Sequence, residues 1–296
     1  MSAARIPIAW DMETSDPDDF MTLLLLLGHP RVDLRSVTVT PGTPAQVGLV
    51  RWALRALGRD VPVGAHDLEH PRACVSQWHY EAYGAVPPSR EAEPGADLLL
   101  RTLTAETTLV TGAALKNLGA ALRRVDAEHL PFALGRLVIQ GGFAGEGVVP
   151  PHLQLEKFRG LTTCPTFNLN GDPKSALLAL AHPAVGSRRL VAKNVCHGVF
   201  YDAELHARVT AVKDRSPALA LIWRGMQHYL SKRPGGKIFH DPLAACCAID
   251  PTIATWAEVE VYRAKGEWGS RLSPGTGTHI IIDLDRDRFV DVLLAT

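Results

Sequence analysis

Apolar and polar positions alternate along this chain in two rhythms. Ile6–Trp10, Val37–Thr40, Thr107–Thr111, Leu137–Gln140 and Leu190–Ala192 are short, mostly apolar runs, as expected of strands covered on both faces. Between them lie stretches with helical spacing: Asp18–Leu27, Ala45–Leu57, Leu115–Arg124 and Pro173–Ala181. In the second of these, Val47, Val50, Leu54 and Leu57 share one face. Ser216–Lys232 predicts a long helix, Thr278–Asp283 a strand and Asp285–Ala295 a closing helix. This order predicts an α/β fold with a mainly parallel, Rossmann-like central sheet and helices on both faces. No linker-like stretch separates two halves, so residues 1–296 are expected to form a single domain. Two long segments break the rhythm. One is His66–Gly95, with Trp78, His79, Tyr80 and Tyr83; the other is Phe143–Pro165, rich in Gly and Pro. Insertions of that length in a compact domain are usually functional or mobile.

Composition narrows the function classes. The 296 residues are 46% hydrophobic and 21% charged, which suits a large core and argues against disorder. Lys plus Arg and Asp plus Glu number 31 each, leaving no basic excess for nucleic-acid phosphates or an anionic membrane. The five cysteines (Cys74, Cys164, Cys196, Cys246 and Cys247) include no CxxC pair, which argues against a zinc cluster or a disulfide framework. The N-terminal segment meets acid after one short apolar run and does not read as a signal peptide. No run reaches the roughly 20 apolar residues that span a bilayer. The expectation is a cytoplasmic protein acting on a small molecule.

The densest chemistry lies just after the first apolar run. Asp11, Glu13, Asp16, Asp18 and Asp19 fall within nine positions, at the carboxyl end of the first predicted strand. Parallel sheets bind ligands at that edge. Capping a helix takes one carboxylate, Asp16 or Asp18, and leaves the others unexplained. Carboxylates held close repel one another unless a proton or a cation offsets the charge. Oxygen-only donors favour a hard cation, Ca²⁺ or Mg²⁺. The EF-hand spacing does not fit. A second acidic element is "FHDPLAACCAIDP", Phe239 to Pro251, in which Pro242 marks a helix start with Asp241 at its N-cap and His240 just before.

Taken in order, the motifs carry a resemblance. Asp11-x-Glu13 followed by Asp18-Asp19 resembles the DxDxGxDDA motif of the inosine–uridine-preferring nucleoside hydrolases. "LVTGAALKNLGAAL" (Leu109–Leu122) is similar to that family's Thr-Gly-x-Leu-x-Asn turn. "IQGG" (Ile139–Gly142) and "TFNLNGDPKSA" (Thr166–Ala176) resemble its Gly-Gly strand end and its Glu-Phe-Asn segment. The His-Asp-Pro stretch closes the set. The resemblance implies a nucleoside hydrolase-like fold, a homodimer or homotetramer, and an N-glycosidase holding Ca²⁺, with Mg²⁺ the lesser alternative. It implies Glu13, Asp19, the carbonyl of Gly112 (or Thr111) and Asp241 as metal ligands, with Asp11 behind them. Asp18 and Asn168 would meet sugar hydroxyls. Glu13 would take the proton of the attacking water, and His240 would serve the leaving base. His197 would line the leaving-group pocket, where Trp78, Tyr80, Tyr229 and Trp268 are further candidates.

Four departures from the pattern bear on the substrate. Glu13 stands where the family has Asp, and the turn is one residue longer, so Asp16 competes with Glu13 as ligand or base. Thr166 replaces a Glu, and Thr43 replaces an Asn, at two positions that meet the sugar in the family. Loss of a carboxylate near the 5′ end, beside an insertion carrying His152, Lys157 and Arg159, favours a modified or 5′-phosphorylated N-glycoside. The same departures leave open a nucleoside- or sugar-binding protein without turnover. A Mg²⁺ phosphohydrolase fits less well, because no phosphate-cradling glycine loop is present.

Overall fold

The computed structural model describes residues 4–296. The strands, in chain order, are β1 (Ile6–Met12), β2 (Val32–Val39), β3 (Val63–Ala65), β4 (Glu93–Pro94), β5 (Thr108–Thr111), β6 (Leu134–Gln140), β7 (Thr163–Cys164), β8 (Val185–Val191), β9 (Phe200–Tyr201), β10 (Lys237–Ile238), β11 (Ala254–Ala264), β12 (Glu267–Leu272) and β13 (Thr278–Leu284). Eleven of them, among the described residues, form one sheet in the order β4-β3-β2-β1-β5-β6-β8-β13-β11-β12-β7. Pairing is parallel from β4 through to β13 and antiparallel beyond it. The mainly parallel sheet is as expected. The antiparallel extension through β11, β12 and β7 is an addition that the apolar pattern did not show. Strands β11 and β12 carry exposed charged residues, such as the paired Glu260 and Arg271, instead of an apolar run.

Strand order reverses at β1. The next strand, β2, lies on one side of it and β5 on the other. Such a switch point opens a crevice at the carboxyl ends of the two strands. In register there, Asp11 of β1 lies opposite Thr111 of β5, and the Gly112 N–H donates to the Asp11 carbonyl at 2.9 Å. Helices seal the sheet because their inward faces are apolar. Helix Pro17–Gly28 buries Phe20, Met21 and the run Leu23–Leu27, and helix His240–Ile249 buries every residue after His240. These two helices pack together, which carries the acidic turn to the late His-Asp-Pro segment.

Two elements start differently from the sequence reading. The segment His66–Gly95 is not one loop: it contains helix Gln77–Tyr83, with Ser76 accepting from the Trp78 N–H. The late helix begins at His240 itself, so Asp241 is not its N-cap. Its first amides are met from another element. Asp18 Oδ2 accepts from the N–H groups of His240 at 3.0 Å and Asp241 at 3.3 Å.

Candidate active site

The crevice between β1 and β5 opens into a cavity of about 740 Å³, within the usual range for small-molecule sites. Its floor is the acidic turn. Asp11 lies beneath it, fully buried, accepting from Thr38 Oγ1 at 2.6 Å and Asn117 Nδ2 at 2.9 Å. Burial outweighs these bonds and pushes its carboxyl up to about 6. Asp11 thus ties β1 to β2 and to helix Lys116–Glu128.

Above Asp11, three carboxylates converge. Ligand oxygens of Asp18, Asp19 and Asp241 lie within 4.8 Å of one another. Burial first, then the charge of Asp241, pushes Asp19 well above the usual carboxylate range. Asp241 is raised in the same direction by burial and then by Asp18. Its Oδ1 has no hydrogen-bond partner among the described residues. Gly112 closes the cluster from β5: a Cβ there would stand 2.5 Å from that oxygen, so only glycine admits the approach. Repelling buried carboxylates, an orphan oxygen and an adjacent bare backbone together fit a divalent cation held by oxygen donors.

Asp18 differs from its neighbours. Burial opposes its charge, yet Lys237 and His240 outweigh that and hold it well below the usual range. Lys237 Nζ lies 3.0 Å from Asp18 Oδ1 and 3.1 Å from Asp16 Oδ2, with its side chain 7% exposed. His240 Nδ1 lies 3.3 Å from Asp18 Oδ2. The sequence reading missed Lys237, although alternation along Lys237, Ile238 and Phe239 puts the lysine on the buried face with Phe239.

The walls are mixed. Trp78, Tyr229 and the 78%-exposed Phe167 are among the aromatic residues lining the cavity. Gln140, Thr166, Asn168 and Lys193 line it too. Asn168 Nδ2 donates to the Gln140 carbonyl at 3.0 Å and side chain at 2.8 Å. Thr166 Oγ1 is buried with no partner among the described residues. Lys193 Nζ donates to the Pro165 carbonyl at 2.8 Å. His197 and His240 face each other with ring centroids 5.3 Å apart. Burial, then Lys157, lowers His197 to about 3, so its imidazole is neutral at physiological pH.

The description of the inosine-uridine preferring nucleoside hydrolases matches residues 8–291 as a family profile. The chain belongs to that family. An uncharacterized protein of Aquifex aeolicus is 28% identical over 302 residues, covering 96% of this chain and 97% of its own. A plant nucleoside hydrolase structure superposes with a TM-score of 0.70 at 20% identity, covering 97% of each chain. A purine-preferring ribonucleoside hydrolase from Gardnerella vaginalis does so at 0.70 and 18% identity, covering 98% of this chain and 97% of its own. Family membership makes the chain an N-glycosidase acting on a nucleoside-type small molecule. No helix among the described residues is long and apolar enough to cross a membrane.

Set beside this nucleoside hydrolase fold, the expected residues sort unevenly. Glu13, Asp16, Asp18, Asp19, Gly112, Thr166, Asn168, His197, His240 and Asp241 all line the cavity. Glu13 lies at the cavity but outside the three-carboxylate cluster. Its carboxylate is turned onto its own turn, accepting from the Ser15 N–H at 3.0 Å and from the Ser15 hydroxyl, while Asp18 joins Asp19 and Asp241 in the cluster. Asp16 is engaged by Lys237. Thr43 lies apart from them: it caps helix Pro44–Ala56, its hydroxyl donating to the Ala73 carbonyl at 2.7 Å, and it is not among the residues lining the cavity. Of the basic residues, His152 and Arg159 are exposed and Arg159 pairs with Glu156, whereas Lys157 reaches His197 Nδ1 at 2.9 Å. Trp268 is buried against Asn170, and Tyr80 is also off the cavity wall.

Proposed function

We propose that this chain hydrolyses the N-glycosidic bond of a ribosylated small molecule with Ca²⁺ at the Asp19–Asp241 pair, and that the substrate carries an anionic group at its 5′ end. The observation that carries the ion reading is the pair itself: two buried, adjacent carboxylates on the cavity floor, both pushed up by burial and neighbouring carboxylates, one with an oxygen unpartnered among the described residues. Asp19, Asp241 and the Gly112 carbonyl would hold the ion, with Asp18 at their flank. An all-oxygen, irregular donor set suits Ca²⁺ better than Mg²⁺, which demands near-octahedral geometry. Bound there, the ion supplies Lewis acidity toward water and sugar oxygens.

The remaining chemistry belongs to side chains. Glu13 swings from Ser15 into the cavity and accepts the proton of the attacking water. Asp18 and Asn168 orient the sugar hydroxyls. Positive charge developing on the sugar ring is met by the carboxylates around it. His240, with Nδ1 held by Asp18, presents Nε2 to the leaving base, and neutral His197 stands beside it.

At the sugar's far end, the Thr166 hydroxyl and the Lys193 ammonium occupy a wall where the family motif supplies a carboxylate. A donor and a cation in that place favour an anion such as a 5′-phosphate. The test is base release from a panel of nucleosides and their 5′-monophosphates, with and without EDTA. The monophosphates are expected to turn over at least about tenfold faster in kcat/KM, which corresponds to roughly 1.4 kcal/mol, and EDTA to abolish turnover. Equal or faster nucleoside turnover refutes the 5′ assignment. Ligand-induced thermal stabilisation with no product would make the chain a binding protein.

A further inference from the structure

Lys237 brings a permanent charge into the acidic site, and the mechanism above gives it no task. Its ammonium is buried behind the cavity floor. All three of its donors are used: Asp18 Oδ1 at 3.0 Å, Asp16 Oδ2 at 3.1 Å and the Ile238 carbonyl at 2.8 Å. Asp18 belongs at once to this ion pair and to the cluster with Asp19 and Asp241. Asp16, Asp18 and His240 form a second group whose ligand atoms lie within 4.8 Å of one another. The ammonium touches two of those three residues, in the place a second cation would take.

We propose that Lys237 is a built-in cation that sets the strength of the divalent-ion site. It neutralises Asp16 and Asp18, so that the ion answers chiefly to Asp19 and Asp241. This rests on the reading of that pair as an ion site. The physical reason is Coulomb repulsion in a poorly screened interior: a fixed positive charge one residue away from the ligands opposes the binding of another. An ion bound by fewer free carboxylates also keeps more of its own charge for polarising the substrate. Lys237 acts through its neighbours, as a positioning residue and a charge, and does not touch the reacting atoms.

A merely structural lysine predicts the opposite sign. If Lys237 only ties the acidic turn to helix His240–Ile249, its removal loosens the cluster and weakens ion binding. The test is calorimetric titration of Ca²⁺ into chelator-stripped full-length chain, for wild type, Lys237→Met and Lys237→Arg, with circular dichroism melts to verify folding. Lys237→Met is expected to bind Ca²⁺ about tenfold more tightly. Lys237→Arg, which keeps the charge, is expected to stay within about threefold of wild type. Lys237→Gln, which retains a hydrogen bond without the charge, gives the same reading as Lys237→Met should the latter fold poorly. Unchanged or weakened Ca²⁺ binding in a folded, uncharged variant overturns the proposal. Binding in Lys237→Met but not in wild type upholds it while removing Ca²⁺ dependence from the natural chain. Binding in neither overturns both readings.

Discussion

Single residues in this molecule are governed by what their polar atoms meet after burial. Asp241 and His79 illustrate the two outcomes. Asp241 keeps an orphan oxygen that a cation fits. His79 is fully buried, its Nδ1 3.0 Å from the Ser76 carbonyl and its Nε2 without a partner, packed edge-on to Phe20 and Trp78. Burial lowers it to about 4. The unfolded chain, with an ordinary histidine near 6.5, therefore binds more protons between those values, and stability falls as pH drops through that window. From pH 7 to pH 4.5 this one group is expected to cost about 2 kcal/mol. Urea unfolding of wild type and His79→Leu at both pH values checks this; the variant should lack that part of the loss. At the same scale, Glu13 accepts from the Ser15 N–H and hydroxyl of its own turn.

At the scale of elements, the site is a junction of two helix starts. Helix Pro17–Gly28 carries Asp18 and Asp19 in its first turn, and Asp18 caps helix His240–Ile249 across 222 positions of sequence. The two N-termini therefore share one carboxylate, further fixed by Lys237. Asp18→Ala would uncap the second helix and leave a buried lysine with only Asp16. Breaking a buried pair from one side typically costs 3–5 kcal/mol, and about 3 kcal/mol is expected here because Asp16 remains. Equilibrium denaturation of the metal-free chain measures it. A loss below about 1 kcal/mol would mean that the ion pair and cap contribute little. Element boundaries were legible where periodicity was strong: Pro173–Ala181 is a helix over the residues the pattern gives. The β11–β12 hairpin was not, because its half-exposed strands lack an apolar run.

For the whole molecule, the topology places the proposed ion site at the switch point between β1 and β5, and ion binding there would couple to global stability. A ligand that binds only the folded chain stabilises it by about 2.7 kcal/mol at a hundredfold excess over Kd. For a chain of this size that raises Tm by roughly 5 °C. Scanning calorimetry of the EDTA-treated protein should show this rise with Ca²⁺ and a smaller one with Mg²⁺. Asp241→Asn should abolish the rise. No shift at millimolar Ca²⁺ would exclude the ion site.

The amino-acid sequence by itself determined the α/β alternation, the acidic turn and the ordered motifs that carry the family resemblance. These are local patterns: periodicity reports burial, and five acids in nine positions report a repulsion that something must offset. Only the tertiary structure decided which acids do what. Lys237 claims Asp16 and half of Asp18, Ser15 claims Glu13, and Asp19 meets Asp241. The physical reason is that a carboxylate's role depends on which charge and which donor lie within about 3–4 Å, at distances where Coulomb and hydrogen-bond energies are large. Ser15 is two positions from Glu13, but Lys237 and Asp241 come from segments more than 200 residues from the acidic turn, brought to it by packing that leaves no periodic trace in the chain.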